Sequence, residues 1–176
     1  RYVCLEPDAS VEILSLSVDV CHYPFDDDAC SLQCSDTILQ QVFELCKNGV
    51  KYGCQDVYTD CPSREKGQYA GDLTVSSASQ VYLTGDLRLF KKAVGDQTAS
   101  QKICPGIMAV TPGSSMQEIA DYSLQFPILV LRYYQHTGDL DFLREMLPVC
   151  QRMLDYFRQY RRPDGLLEQV DGKWNL

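Results

Sequence analysis

The segment Thr59-Asp60-Cys61-Pro62-Ser63-Arg64-Glu65-Lys66-Gly67-Gln68-Tyr69-Ala70-Gly71-Asp72 gathers the side chains best able to do chemistry. Asp60, Glu65 and Asp72 are its carboxylates, and Arg64 and Tyr69 stand among them. Pro62, Gly67 and Gly71 argue for a loop, and loops on a rigid scaffold carry a large share of catalytic groups. Carboxylates this close resist joint ionisation, so their pKa values should be driven apart. A carboxyl that keeps its proton beside one that has lost it is what acid/base chemistry needs near neutral pH. The same residues admit a structural reading, in which Asp72 caps the next helix and Arg64 pairs with Glu65 on the surface.

Other reaction classes find little support. There is no GxSxG, HExxH, GxGxxG or GxxxxGK[ST], so serine hydrolase, zinc protease and nucleotide-binding readings lose most of their weight. The nine cysteines are scattered and odd in number, with no CxxC. His22 and His136 are the sole histidines, so a zinc site is weakly supported and no metal is expected. Cys46 and Cys150 fall on helix faces where small apolar residues belong, which favours free thiols and a reducing, cytoplasmic setting. Asp26-Asp27-Asp28 lacks the alternating ligand spacing of a calcium loop and reads as a solvated linker. The net charge is −8, and the densest basic group, Arg158, Arg161 and Arg162, reads as the charged end of a helix. Nucleic acid is therefore a poor partner, and no apolar run of about 18 residues offers a membrane span.

The elements that must hold the loop can be read from periodicity. Residues 2–22 read as β, because Leu14, Leu16, Val18 and Val20 alternate with Ser15, Ser17 and Asp19. Two strands cannot bury a face alone, so they are expected to be the tail of an upstream β domain or a flap on the helical part. From Ser35 the period becomes helical, with Ser35 or Asp36 as cap and Ile38, Leu39, Val42, Phe43, Leu45, Cys46 and Val50 on one stripe. Further helices are expected over about 72–83, 86–99, 117–136 and 139–161, with kinks at Pro127 and Pro148. Thr84-Gly85-Asp86-Leu87 recurs as Thr137-Gly138-Asp139-Leu140. In each copy Gly can end one helix in a left-handed conformation and Asp can cap the next. Repeated αα-hairpins point to a helical toroid or solenoid. The opening at Arg1 without a methionine and the close at Trp174-Asn175-Leu176 suggest a segment of a longer protein.

With these residues in place a resemblance becomes specific. Asp60-x-Pro62-x-Arg64-Glu65 followed by Gly71-Asp72 resembles the active-site signature of bacterial α-L-rhamnosidases (glycoside hydrolase family 78-like, six-hairpin glycosidases). It is most like the subgroup whose motif runs DCPSREKGQ-aromatic-x-GD, where the acid follows the arginine directly. The helix from Ser35-Asp36 to Cys46-Lys47-Asn48, the stretch Ile119-Ala120-Asp121-Tyr122-Ser123 and the Thr137-Gly138-Asp139 turn also resemble the family, so the likeness covers nearly the whole chain. It implies a mainly α fold, a partial (α/α)6 six-hairpin toroid with roughly five of twelve barrel helices. Residues 1–30 would be the β-strand tail of an upstream β-sandwich plus a linker. Residues 31–176 would be the N-terminal part of the α/α-barrel catalytic domain.

The implied activity is hydrolysis of terminal non-reducing α-L-rhamnose with inversion, on a carbohydrate substrate and without a cofactor. Glu65 matches the general acid. Asp60 and Asp72 match carboxylates that hold rhamnose hydroxyls, and Arg64 orients the carboxylates or a hydroxyl. Tyr69 would set a ring against the apolar sugar face. Asp121 resembles a further sugar-binding acid, or serves as a first-turn helix acid. Nothing marks Cys61 as a nucleophile. Inversion needs a base ~6.5–9.5 Å from the acid. Glu118, Glu145 and Glu168 do not sit in sequences resembling the base's surroundings, so the base is expected outside the chain. The chain alone is expected to lack useful activity and to cover exposed apolar helix edges by association, including as a homo-oligomer. Another glycosidase specificity on the same barrel, a non-catalytic carbohydrate-binding helical module and a structural helical repeat are the alternatives.

Overall fold

The computed structural model describes residues 3–103, 109–113 and 119–168. They form six helices: α1 (Thr37–Gly53), α2 (Ala70–Thr84), α3 (Arg88–Ser100), α4 (Ala120–Leu124), α5 (Phe126–Thr137) and α6 (Leu140–Arg158). Among the described residues no helix is long and apolar enough to cross a membrane.

Local chemistry sets the helix ends. The Asp36 carboxylate accepts from the amides of Ile38 (2.9 Å) and Leu39 (3.2 Å), so Asp36 rather than Ser35 opens α1. The two Thr-Gly-Asp-Leu turns fold alike. Gly85 and Gly138 adopt φ of 70° and 67°, where a Cβ would be strained. Their amides close the preceding helices on Val81 O (2.8 Å) and Tyr134 O (2.7 Å). Each threonine hydroxyl accepts the aspartate amide, at 3.2 Å for Thr84 and 3.1 Å for Thr137. Asp86 then accepts from Arg88 N (2.9 Å) and Asp139 from Phe142 N (3.0 Å). Two αα-hairpins result, α2–α3 and α5–α6, as the repeat predicts.

Packing of α3 on α5, α5 on α6 and α2 on α3 and α4 encloses the core. Leu73, Phe90, Ala93, Val94 and Met153 are fully buried, and Phe126 and Leu129 nearly so. Edge-to-face aromatic pairs cross the helix contacts, Phe90 with Tyr133 at 5.8 Å and Tyr133 with Phe142 at 4.8 Å. This is the packed core against which the 59–72 loop is set.

Three expectations need correction. Residues 3–22 form no strand; Leu14 and Val18 are 87% and 72% exposed. Alternation marks a segment fit for a sheet, but a strand exists only when a neighbour takes its amides, and the described residues supply none. The apolar stripe of α1 is not buried either: Ile38, Leu39, Val42, Leu45 and Cys46 face outward, and its one buried residue is Lys47. The stripe shows that an apolar face exists, not that this chain covers it. The ammonium of Lys47 instead ties down the linker, donating to Asp27 O (2.6 Å) and Cys30 O (3.3 Å), while Lys51 pairs with the Asp27 carboxylate at 2.6 Å. Finally, the helix expected over 117–136 is two helices broken at Gln125, where Pro127 sits in the first turn of α5, its favoured place. Pro148 lies inside α6, as expected.

Candidate active site

The loop between α1 and α2 is fastened at both ends. At its start, Thr59 binds Gly53 O through its amide and hydroxyl, both at 2.9 Å. The fully buried Tyr58 donates its hydroxyl to Gln80 on α2. At its end, Ala70 N donates to Val110 O at 3.1 Å. Between them Asp60 and Gly67 clasp each other: Asp60 N donates to Gly67 O (2.9 Å) and Gly67 N to the Asp60 carboxylate (2.8 Å). Arg64, Glu65 and Lys66 therefore lie in a small closed loop. Lys66 takes φ of 55°, a conformation a lysine adopts only when its surroundings impose it.

That loop brings Glu65 to Asp60. Asp60, Cys61 and Glu65 each place one side-chain ligand atom within 4.8 Å of the others. Glu65 N donates to Cys61 Sγ (3.2 Å), and Arg64 pairs with Glu65 Oε1 at 2.6 Å. The two carboxylates and the thiol are the described residues best placed to hold a cation. Their atoms already take hydrogen bonds, Asp60 from Gly67 N, Glu65 from Arg64 and Cys61 from Glu65 N. Arg64 is largely exposed, so its pairing fits the surface reading and leaves the guanidinium free to shift onto a ligand.

Asp72 comes from a different element. It is not the cap of α2: that position belongs to Tyr69, which makes no side-chain cap bond, and Asp72 sits half-buried in the first helical turn. Asp60 and Asp72 move in opposite directions, chiefly through hydrogen bonding at the first and burial at the second rather than through mutual repulsion. At Asp60 burial pushes upward, but hydrogen bonds from the side chains of Glu65 and Cys61 and the amides of Gly67 and Cys61 outweigh it, leaving the carboxyl below its ordinary range. At Asp72 burial dominates, helped by the charge of Asp60, and raises the carboxyl above it. Tyr69 is likewise raised, by burial and then by the charges of Glu65 and Asp60.

An open cleft of about 520 Å³ runs along Glu65, Lys66, Gly67, Gln68, Tyr69, Thr111 and Pro112. Five of the residues singled out from the sequence, Asp60, Arg64, Glu65, Tyr69 and Asp72, thus share one end of the bundle. Asp121 is exposed in the first turn of α4, next to Tyr122, whose phenol feels the charges of Asp72 and Asp121. Glu145 and Glu168 are exposed, and Glu168 faces Arg162 at 3.8 Å; Glu118 lies outside the described residues.

Sequence reasoning missed two neighbours. Thr111 is buried against the loop, and a Cβ on Gly67 would lie 3.0 Å from its methyl and 2.7 Å from the Tyr69 ring. Tyr122 covers Gly71 so closely that a Cβ there would lie 2.5 Å from its ring. The signal was in the motif: glycines flanking functional residues often mark where another group comes into contact.

The model of the bacterial α-L-rhamnosidase six-hairpin glycosidase domain matches residues 27–175. Two solved structures share the fold. A GH78 family rhamnosidase from Bacillus sp. GL1 superposes with TM-score 0.81 at 21% identity, over 88% of this chain and 16% of that one. A rhamnosidase from Klebsiella oxytoca with rhamnose bound superposes with TM-score 0.71 at 18% identity, over 82% of this chain and 29% of that one. No curated protein matches the chain. The chain therefore spans less than a third of either structural relative. Since the family model covers all but its first residues and its last, the chain belongs to the bacterial α-L-rhamnosidase six-hairpin glycosidase domain family.

Proposed function

We propose that the full-length protein carrying this chain is an inverting α-L-rhamnosidase that releases terminal non-reducing α-L-rhamnose from glycosides. The observation that carries the reading is the clasped loop, which sets Glu65 against Asp60 while Asp72 approaches from α2 with its pKa moved the opposite way. Glu65 is the general acid that protonates the leaving oxygen. Asp60 and Asp72 hold rhamnose hydroxyls, Arg64 orients Glu65 or a hydroxyl, Tyr69 backs the sugar face, and Asp121 takes a hydroxyl at the margin.

The base comes from beyond this chain. Asp60 and Glu65 approach within 4.8 Å, too close to flank a water at the ~6.5–9.5 Å an inverting pair requires. In this reading residues 1–30 link a preceding β domain to the barrel, and residues 31–176 are the barrel's first part. The acidic chain, net −8, suits a neutral sugar, and the unpaired thiols of the eight described cysteines suit a cytoplasmic setting. The test is the anomer released first, followed by proton NMR during hydrolysis of an aryl α-L-rhamnoside. β-L-rhamnose is expected. α-L-rhamnose would make Asp60 a nucleophile beside Glu65, and no cleavage of rhamnosides at all would refute the specificity.

A further inference from the structure

We propose that Tyr122 is a positioning residue for Asp72: its ring, seated on the backbone of Gly71, walls one side of the Asp72 carboxylate and holds it for a sugar hydroxyl. The inference rests on the rhamnosidase reading for the hydroxyl, and on geometry for the rest. Tyr122 belongs to α4, a short helix whose Ser123 N closes on Ile119 O at 3.0 Å and which packs on α2. Its Cε1 and Cζ atoms, the hydroxyl end of the ring, face Gly71, where a Cβ would lie 2.5 Å from both. Neither atom belongs to a freely swinging chain end, because the ring is half-buried and Gly71 lies in the first turn of α2. Glycine at 71 is thus what admits the ring, and the next residue along is Asp72.

The consequence is electrostatic. A carboxylate with a ring on one side loses water there, and in drier surroundings its bond to a hydroxyl strengthens. Burial raises both Asp72 and the Tyr122 phenol, and the charge of Asp72 raises the phenol further. Covering also restricts the Asp72 side chain before the sugar arrives, which lowers the ordering cost of binding.

The experiment uses the full-length protein and the variants Tyr122→Ala, Tyr122→Phe, Gly71→Ala and Gly71→Ala/Tyr122→Ala. KM and kcat on an aryl α-L-rhamnoside, binding of L-rhamnose across pH and thermal melting are measured on each. Tyr122→Ala is expected to weaken rhamnose binding roughly ten-fold, the scale of one well-placed hydrogen bond. It should also move the acid limb of binding to lower pH, since a rehydrated Asp72 ionises more easily. Gly71→Ala should do the same by pushing the ring away, and the double variant should be no worse than Tyr122→Ala. Tyr122→Phe keeps the wall and should restore binding to within about three-fold of the parent. A Tyr122→Ala protein that melts lower but binds rhamnose with unchanged affinity and pH profile overturns the inference and leaves the rhamnosidase reading standing. A parent that neither binds nor cleaves rhamnosides overturns both.

Discussion

Asp60 has two separable jobs, and Asp60→Asn divides them. One carboxylate oxygen accepts the Gly67 amide at 2.8 Å and so closes the loop that carries Glu65. An asparagine oxygen can accept the same bond, so the clasp survives. The amide nitrogen cannot accept from Glu65, Cys61 or a sugar hydroxyl, so the charge-dependent contacts are lost. A hydrogen bond to a charged group contributes ~1.5–3 kcal/mol, which corresponds to about 10- to 150-fold in kcat/KM if the hydroxyl contact is made in the transition state. The clasp bond that remains is worth at most about as much in stability, and less here because the site is half exposed. Asp60→Asn should therefore melt within a few degrees of the parent while losing at least tenfold in kcat/KM. Asp60→Ala should lose both activity and loop order. The assay is turnover of an aryl α-L-rhamnoside beside a melting curve on the same preparations. Asparagine activity within about threefold of the parent would reduce Asp60 to a loop clasp and remove it from sugar binding.

Other consequences are direct. Asp72 is raised by burial in the folded state, so its contribution to stability is present below the ordinary carboxylate range and lost as pH rises through the folded value. At pH 7 its charge opposes folding, so Asp72→Asn should melt slightly higher than the parent while binding rhamnose more weakly; a lower melting point with intact kinetics would mark Asp72 as structural. Tyr58→Phe removes the donor from buried Gln80 and should cost about 1–3 kcal/mol, read by denaturant titration, with Asp60 and Glu65 loosened and kcat/KM reduced. Residues 1–176 purified alone should show less than a tenth of the parent's turnover, lacking a base. They should also self-associate through exposed Ile38, Leu45 and Leu147, visible as concentration-dependent elution on gel filtration.

The helical part of the fold was legible because its signals are local. Asp36 and the two Thr-Gly-Asp-Leu turns each fix their own stretch of chain, and the helix expected over 139–161 is α6. What failed was non-local. Alternation at residues 3–22 and the stripe at Ile38 to Leu45 describe faces, and whether a face is covered depends on what lies opposite. The break at Gln125 was expected only as a kink at Pro127, because apolar spacing runs through it. In the site, the carboxylates and Tyr69 were visible because they crowd one motif. Thr111 and Tyr122 come from distant segments, and their only trace in the motif was Gly67 and Gly71.

The role of Glu65 is the centre of the account, and one comparison tests it. Glu65→Gln in the full-length protein keeps the side chain's shape and removes its proton. General acid catalysis contributes ~10²–10⁴-fold, and chiefly where the leaving group is poor. The variant should lose that much kcat/KM on an alkyl or glycosyl α-L-rhamnoside and far less on a dinitrophenyl one, whose leaving oxygen needs no proton. Equal losses on both substrates, or no loss on the glycosyl one, would contradict the assignment.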